Sequence, residues 1–60
     1  MIKVTFKNQS GVYWAVCGNV SYIKGNGYLL DSILEDSLCG GPHPWAKVPE
    51  DWKIIFVEEA

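Results

Sequence analysis

Val12-Tyr13-Trp14-Ala15-Val16-Cys17-Gly18-Asn19-Val20-Ser21-Tyr22-Ile23-Lys24-Gly25-Asn26-Gly27 is the stretch that decides the fold. Residues 12–17 are apolar at every position, the pattern of a central strand covered on both faces. Gly18-Asn19 puts glycine first in a two-residue hairpin connection, as a type II′ turn requires. Residues 20–24 read as a further strand. Asn26-Gly27 then tolerates the two positive φ angles of a type I′ turn, a second hairpin signal. Toward the N-terminus, Ile2, Val4 and Phe6 alternate with Lys3, Thr5 and Lys7, a strand with one wet face. Asn8-Gln9-Ser10-Gly11 turns that strand back into residue 12. The first half is a β-meander.

After Tyr28-Leu29-Leu30 the period changes. Leu30, Ile33, Leu34 and Leu38 recur at helical spacing, Ser32 and Glu35 form a capping box, and Gly40 stands where a C-cap glycine would. The spacing predicts a short strand over 28–31 and a helix over 32–39, with a continuous strand through Ile33 as the competing reading. Residues 40–52 hold all three prolines and two of the three tryptophans, an ordered connector. Pro49-Glu50-Asp51-Trp52 suits a single helical turn, with Pro first and acids at the positive end of the dipole. Lys53-Ile54-Ile55-Phe56-Val57 is apolar on both faces and is expected inside the sheet. Glu58-Glu59-Ala60 is a solvated tail. The expectation is a mainly β domain over 1–60: a small five-stranded antiparallel meander or partly open barrel with one short helix and a Pro-rich connector.

Charge is distributed unevenly. Residues 1–30 hold Lys3, Lys7 and Lys24 and no acid. Residues 31–60 hold Lys47 and Lys53 against Asp31, Glu35, Asp36, Glu50, Asp51, Glu58 and Glu59, within a formal net charge of −2. With no arginine and this balance, the chain lacks the footprint of a nucleic-acid binder, and no direct nucleic-acid partner is expected. No apolar run approaches the roughly 18 residues of a membrane span, and residues 1–7 alternate rather than form a signal-peptide block. A cytoplasmic protein, with no membrane partner, is expected. Cys17 and Cys39 are too few for a disulfide framework and read as free thiols in a reducing cytosol.

Cys39-x3-His43, with Cys17 behind it, is the one metal-type constellation, but zinc usually takes four ligands in close pairs. No metal or cofactor residue is assigned, and a zinc-stabilised structural module stands as a second alternative. A Cys–His nucleophile would need an orienting third group and an oxyanion site, and none is legible, so no catalytic residues and no enzyme are expected.

Binding is the expectation that remains. Phe6, Trp14 and Phe56 are read as core, Trp52 as core in preference to surface, and Trp45 as equally either. Tyrosine and tryptophan also concentrate at contact surfaces. The acids form three doublets that could steer the chain toward a basic protein surface. Trp45, Glu50, Asp51, Glu35, Asp36, Tyr28 and His43 are the expected contact residues. A Met-initiated chain of 60 residues without a catalytic set is typical, by analogy, of phage or mobile-element inhibitors of a host defence or regulatory protein. A homodimer or higher oligomer is expected, because strands 12–17 and 53–57 both call for cover on two faces.

Gly25-Asn26-Gly27-Tyr28-Leu29, followed by Trp45 and by Glu50-Asp51-Trp52-Lys53-Ile54-Ile55, resembles the G…GxYL and EDW segments of phage anti-Thoeris sponge proteins. That family's opening helix is replaced here by a strand. The resemblance implies an alternative function, an oligomer that sequesters a small nucleotide-type ligand between subunits.

Overall fold

The Asn8 carboxamide makes the first turn: its Oδ1 accepts the Ser10 amide at 2.7 Å and the Gly11 amide at 2.9 Å. That local bond offers the backbone an alternative to continuing the strand. In this computed structural model, which describes residues 1–60, the turn joins β1 (Ile2–Asn8) to β2 (Gly11–Cys17) in an antiparallel hairpin. The remaining elements are β3 (Asn19–Ile23), β4 (Gly27–Ile33), β5 (Glu35–Asp36), β6 (His43–Val48) and β7 (Lys53–Glu59). They form two antiparallel sheets, one ordered β5-β2-β1-β7 and the other β3-β4-β6. The chain is mainly β, as its sequence indicates, but with seven strands in two sheets, no helix and no closed barrel.

The correction begins at Gly18. Its amide is not in a β2–β3 hairpin; it donates to the carbonyls of Asp31 and Ser32, at 2.9 and 3.1 Å, and β3 pairs with β4 instead. A flat meander would leave one apolar face in water, whereas turning the chain over at this corner lets two apolar faces cover each other. Val4, Phe6, Tyr13, Ala15 and Cys17 from the first sheet meet Leu30, Ile33 and Val48 from the second. Phe6 stands edge-on to Tyr28 at 5.2 Å between ring centroids, an orientation that favours aromatic pairs.

The expected helix over 32–39 is absent. Ser32 sits at a φ of 55°, one residue before the end of β4, where the chain passes from the second sheet to the first. Leu34 then donates to the Val16 carbonyl at 2.8 Å, and β5 pairs with β2 through Ala15↔Asp36 and Val16↔Glu35. Leu34 and Leu38, which suggested the helical stripe, are exposed; of its four residues only Leu30 and Ile33 enter the core. Pro49–Trp52 is a turn closed by the Trp52 amide on the Pro49 carbonyl, not a helical turn. In the β3–β4 loop the positive φ angles fall on Gly25 and Gly27 and not on Asn26, so the turn is not type I′. Gly27 is required there: a Cβ would run into the Val48 carbonyl and lie 2.9 Å from the Glu50 nitrogen.

Two strands are less covered than their sequences imply. β2 is central in its sheet, but Val12 on its outer face is exposed and Trp14 is half-buried beneath the Lys3 ammonium, 4.9 Å from the ring centroid. β7 is an edge strand, not an interior one. Phe56, read as core, is 63% exposed on the outer face opposite Thr5. Val57 lies opposite buried Val4 and is still 55% exposed, since β7 makes its contacts chiefly with β1.

Candidate functional site

Asp36 organises the one region where chemically active side chains converge. Its Oδ1 accepts the amides of Leu38 and Cys39, at 2.9 and 2.6 Å, which bends residues 37–40 into a tight turn. The turn is fastened to β2 twice: the Ser37 amide donates to the Trp14 carbonyl at 2.9 Å, and Ser37 Oγ accepts the Trp14 amide at 3.0 Å. Gly41, at a φ of 119°, lets the returning chain pass close to β5, where a Cβ would lie 2.9 Å from Glu35 Cα. The chain then enters β6, whose first residue, His43, brings Nε2 to 2.9 Å from Asp36 Oδ2.

The Asp36 side chain is thus 4% exposed and its carboxylate fully engaged. Burial alone would raise its pKa, but the Cys39 and Leu38 amides and His43 outweigh that and hold it below its ordinary value. Beneath it lies Tyr13, whose hydroxyl is pushed up to about 12 by burial first and by the Asp36 charge next. Tyr13 stands edge-on to Trp52 at 5.7 Å. Together with Leu38, Cys39 and Trp45 these residues wall a groove of about 300 Å³. Trp45 is 58% exposed at its rim.

Three of the seven contact residues expected from sequence therefore come together: Asp36, His43 and Trp45. The other four do not. Tyr28 is half-buried between Phe6 and Tyr22, as part of the wall between the sheets. Glu35 is exposed beside Val16. Asp51 lies near Lys7 and Lys53, in a shallow polar depression. Glu50 Oε2 accepts the Tyr22 hydroxyl at 2.6 Å and the Gly25 amide at 2.8 Å, tying the β3–β4 loop to the β6–β7 turn. Both bonds, the Tyr22 one first, lower the Glu50 carboxyl, and the bond to Glu50 raises the Tyr22 hydroxyl. The acidic doublets are dispersed; they form no single acidic face.

The groove also contains residues that sequence reasoning did not assign to it: Tyr13, Leu38, Cys39 and Trp52. The usable signal is the spacing Asp36-x2-Cys39-x3-His43, which sets three ligand-type side chains in one short segment. Cys17, the expected companion of Cys39 and His43, is in the core, where burial pushes its thiol up; Asp36 takes its place beside them. Neither thiol is in a disulfide.

These features define a class, a two-sheet antiparallel β protein with an aromatic groove over an Asp–His pair. No family model matches the chain, and neither a curated protein nor a solved structure matches it. No helix is long and apolar enough to cross a membrane.

Proposed function

We propose that this chain is a non-enzymatic binding protein that captures a segment of a host protein in the groove beside β6, with Trp45 as anchor. The observation that carries the reading is Trp45 itself, a rigid aromatic left 58% exposed at the rim of an apolar concavity. Tryptophan in such positions dominates binding energy when a partner covers it. The excess of acid in residues 31–60 favours a partner with a basic surface by steering encounter. The partner class is a host defence or regulatory protein and the location cytoplasmic, on the analogy with phage-type inhibitors. A photocrosslinker at position 45, in cells making the protein, is expected to trap one partner that the same probe at position 24 does not. Equal trapping at both positions overturns the reading.

The chain is further proposed to self-associate along β7. That edge presents Ile55, Phe56 and Val57 in succession, all exposed, beside backbone groups that no neighbouring strand covers. An antiparallel second copy centred on Phe56 would set Lys53 against Glu59 of the other chain, so the charges at the strand ends complement each other. The alternative function, an oligomer holding a small nucleotide-type ligand between subunits, needs such a boundary. Sedimentation at micromolar concentration is expected to show a dimer or larger species that Phe56→Lys returns to monomer. A wild-type monomer refutes both the self-association and the alternative built on it.

A further inference from the structure

The geometry points to a divalent metal site, of zinc type, formed by Asp36, Cys39 and His43. The Asp36 carboxylate oxygen, the Cys39 sulfur and the His43 ring nitrogen lie within 4.8 Å of one another, a mixed O, S, N set that suits zinc. The Asp36 carboxylate is already oriented for the task. Its Oδ1 is occupied by two backbone amides, which leaves Oδ2 directed at His43. Hydrogen bonds of this kind, made by atoms that do not themselves touch the metal, fix a ligand's direction and support its affinity.

Asp36 and His43 hold each other at 2.9 Å. A metal entering between them replaces that one hydrogen bond with two coordinate bonds. Cys39 is the exposed member: its side chain stands in solvent, while its backbone amide is held on Asp36 Oδ1. Rotation of the Cys39 side chain, with its amide still on Asp36 Oδ1, brings the sulfur to the Zn–S distance of about 2.3 Å. On ligation the thiol proton leaves to solvent and the thiolate bonds the metal, while the Nε2 proton that His43 shares with Asp36 is given up to solvent as Nδ1 takes or keeps the ring's remaining proton, so that Nε2 can coordinate. Three protein ligands leave the fourth tetrahedral position open, toward the groove lined by Tyr13 and Trp45. A water or a donor atom of a bound partner can take it. The metal site stands independently of partner capture, and metal alone reads it.

The test is a titration of the full chain with Co2+ in reducing buffer, followed by displacement with Zn2+. The expected result is a thiolate-to-cobalt charge-transfer band that saturates at one metal per chain and is abolished by Zn2+. Cys39→Ser, at an exposed position, is expected to remove the band without unfolding the chain. His43→Ala, which removes a ligand outright, is expected to weaken binding by more than the roughly tenfold that loss of an outer hydrogen-bond partner costs, and Cys17→Ala to leave the band intact. Absence of the band, its persistence in Cys39→Ser, or its loss in a folded Cys17→Ala overturns the assignment. Saturation at half an equivalent places the metal between two copies and also overturns it.

Discussion

Two carboxylates hold loops in place by accepting hydrogen bonds and end in opposite circumstances. Asp36 accepts two backbone amides and faces a histidine; Glu50 accepts one amide and a tyrosine hydroxyl. Both are held below their ordinary pKa values by those partners. Asp36 is buried at the side of an aromatic groove, with a thiol within reach, whereas Glu50 is exposed in the β6–β7 turn, against the β3–β4 loop. Hydrogen bonding alone therefore does not mark a site. Burial and the company of other donors separate a ligating carboxylate from a tie between loops.

Substitutions can break that contrast in order of effect. Asp36→Ala is expected to be the most damaging, by about 2 kcal/mol, since it strips two amides and His43 of a largely buried acceptor. Chemical denaturation measures it, and a loss no greater than that of Glu50→Gln removes the distinction. Glu50→Gln is expected to lower Tm modestly at neutral pH. Because the folded Glu50 pKa is depressed, its carboxylate contributes stability above the ordinary glutamate range and loses it as pH falls through the folded value. The Tm curves of wild type and Glu50→Gln should thus converge toward acid; a gap that stays constant with pH sinks the assignment of Glu50 as an ionised tie. Trp45→Ala is expected to have the smallest effect on stability, within about 0.5 kcal/mol, as befits an exposed side chain. Its effect belongs to partner capture, and a large loss of stability would move Trp45 from surface to scaffold.

The same contrast shows what could be read from sequence. Alternation in Ile2–Lys7 and the turn chemistry of Asn8–Gly11 fixed the β1–β2 hairpin, because both signals are local. The second hairpin was legible in outline, although its positive φ falls on Gly25 in place of Asn26. The corner at Gly18 and Ser32 was hidden, since its reason is the mutual cover of two sheets and not any preference of the residues themselves. Residues 32–39 carried helical spacing and a capping box, and tertiary pairing with β2 overrode both. That misreading concealed the site: Asp36 acquires its role only when β5 stands beside β2 and the turn returns His43 to it. Trp45 and His43 are legible by residue type; Tyr13 is not, because β2 brings it in from far away in the chain, and Trp52, in the nearby β6–β7 turn, is masked by its reading as core.

Amide-resolved NMR of the full chain during addition of Zn2+, in reducing buffer, is the most direct measure of the claim that the Asp36 turn is the molecule's chemical centre. Shifts are expected to concentrate at Asp36–Trp45 and at Tyr13 and Trp52, while Tyr22, Gly25 and Glu50 stay still. Shifts centred on Glu50, on Glu58 and Glu59, or nowhere would contradict it.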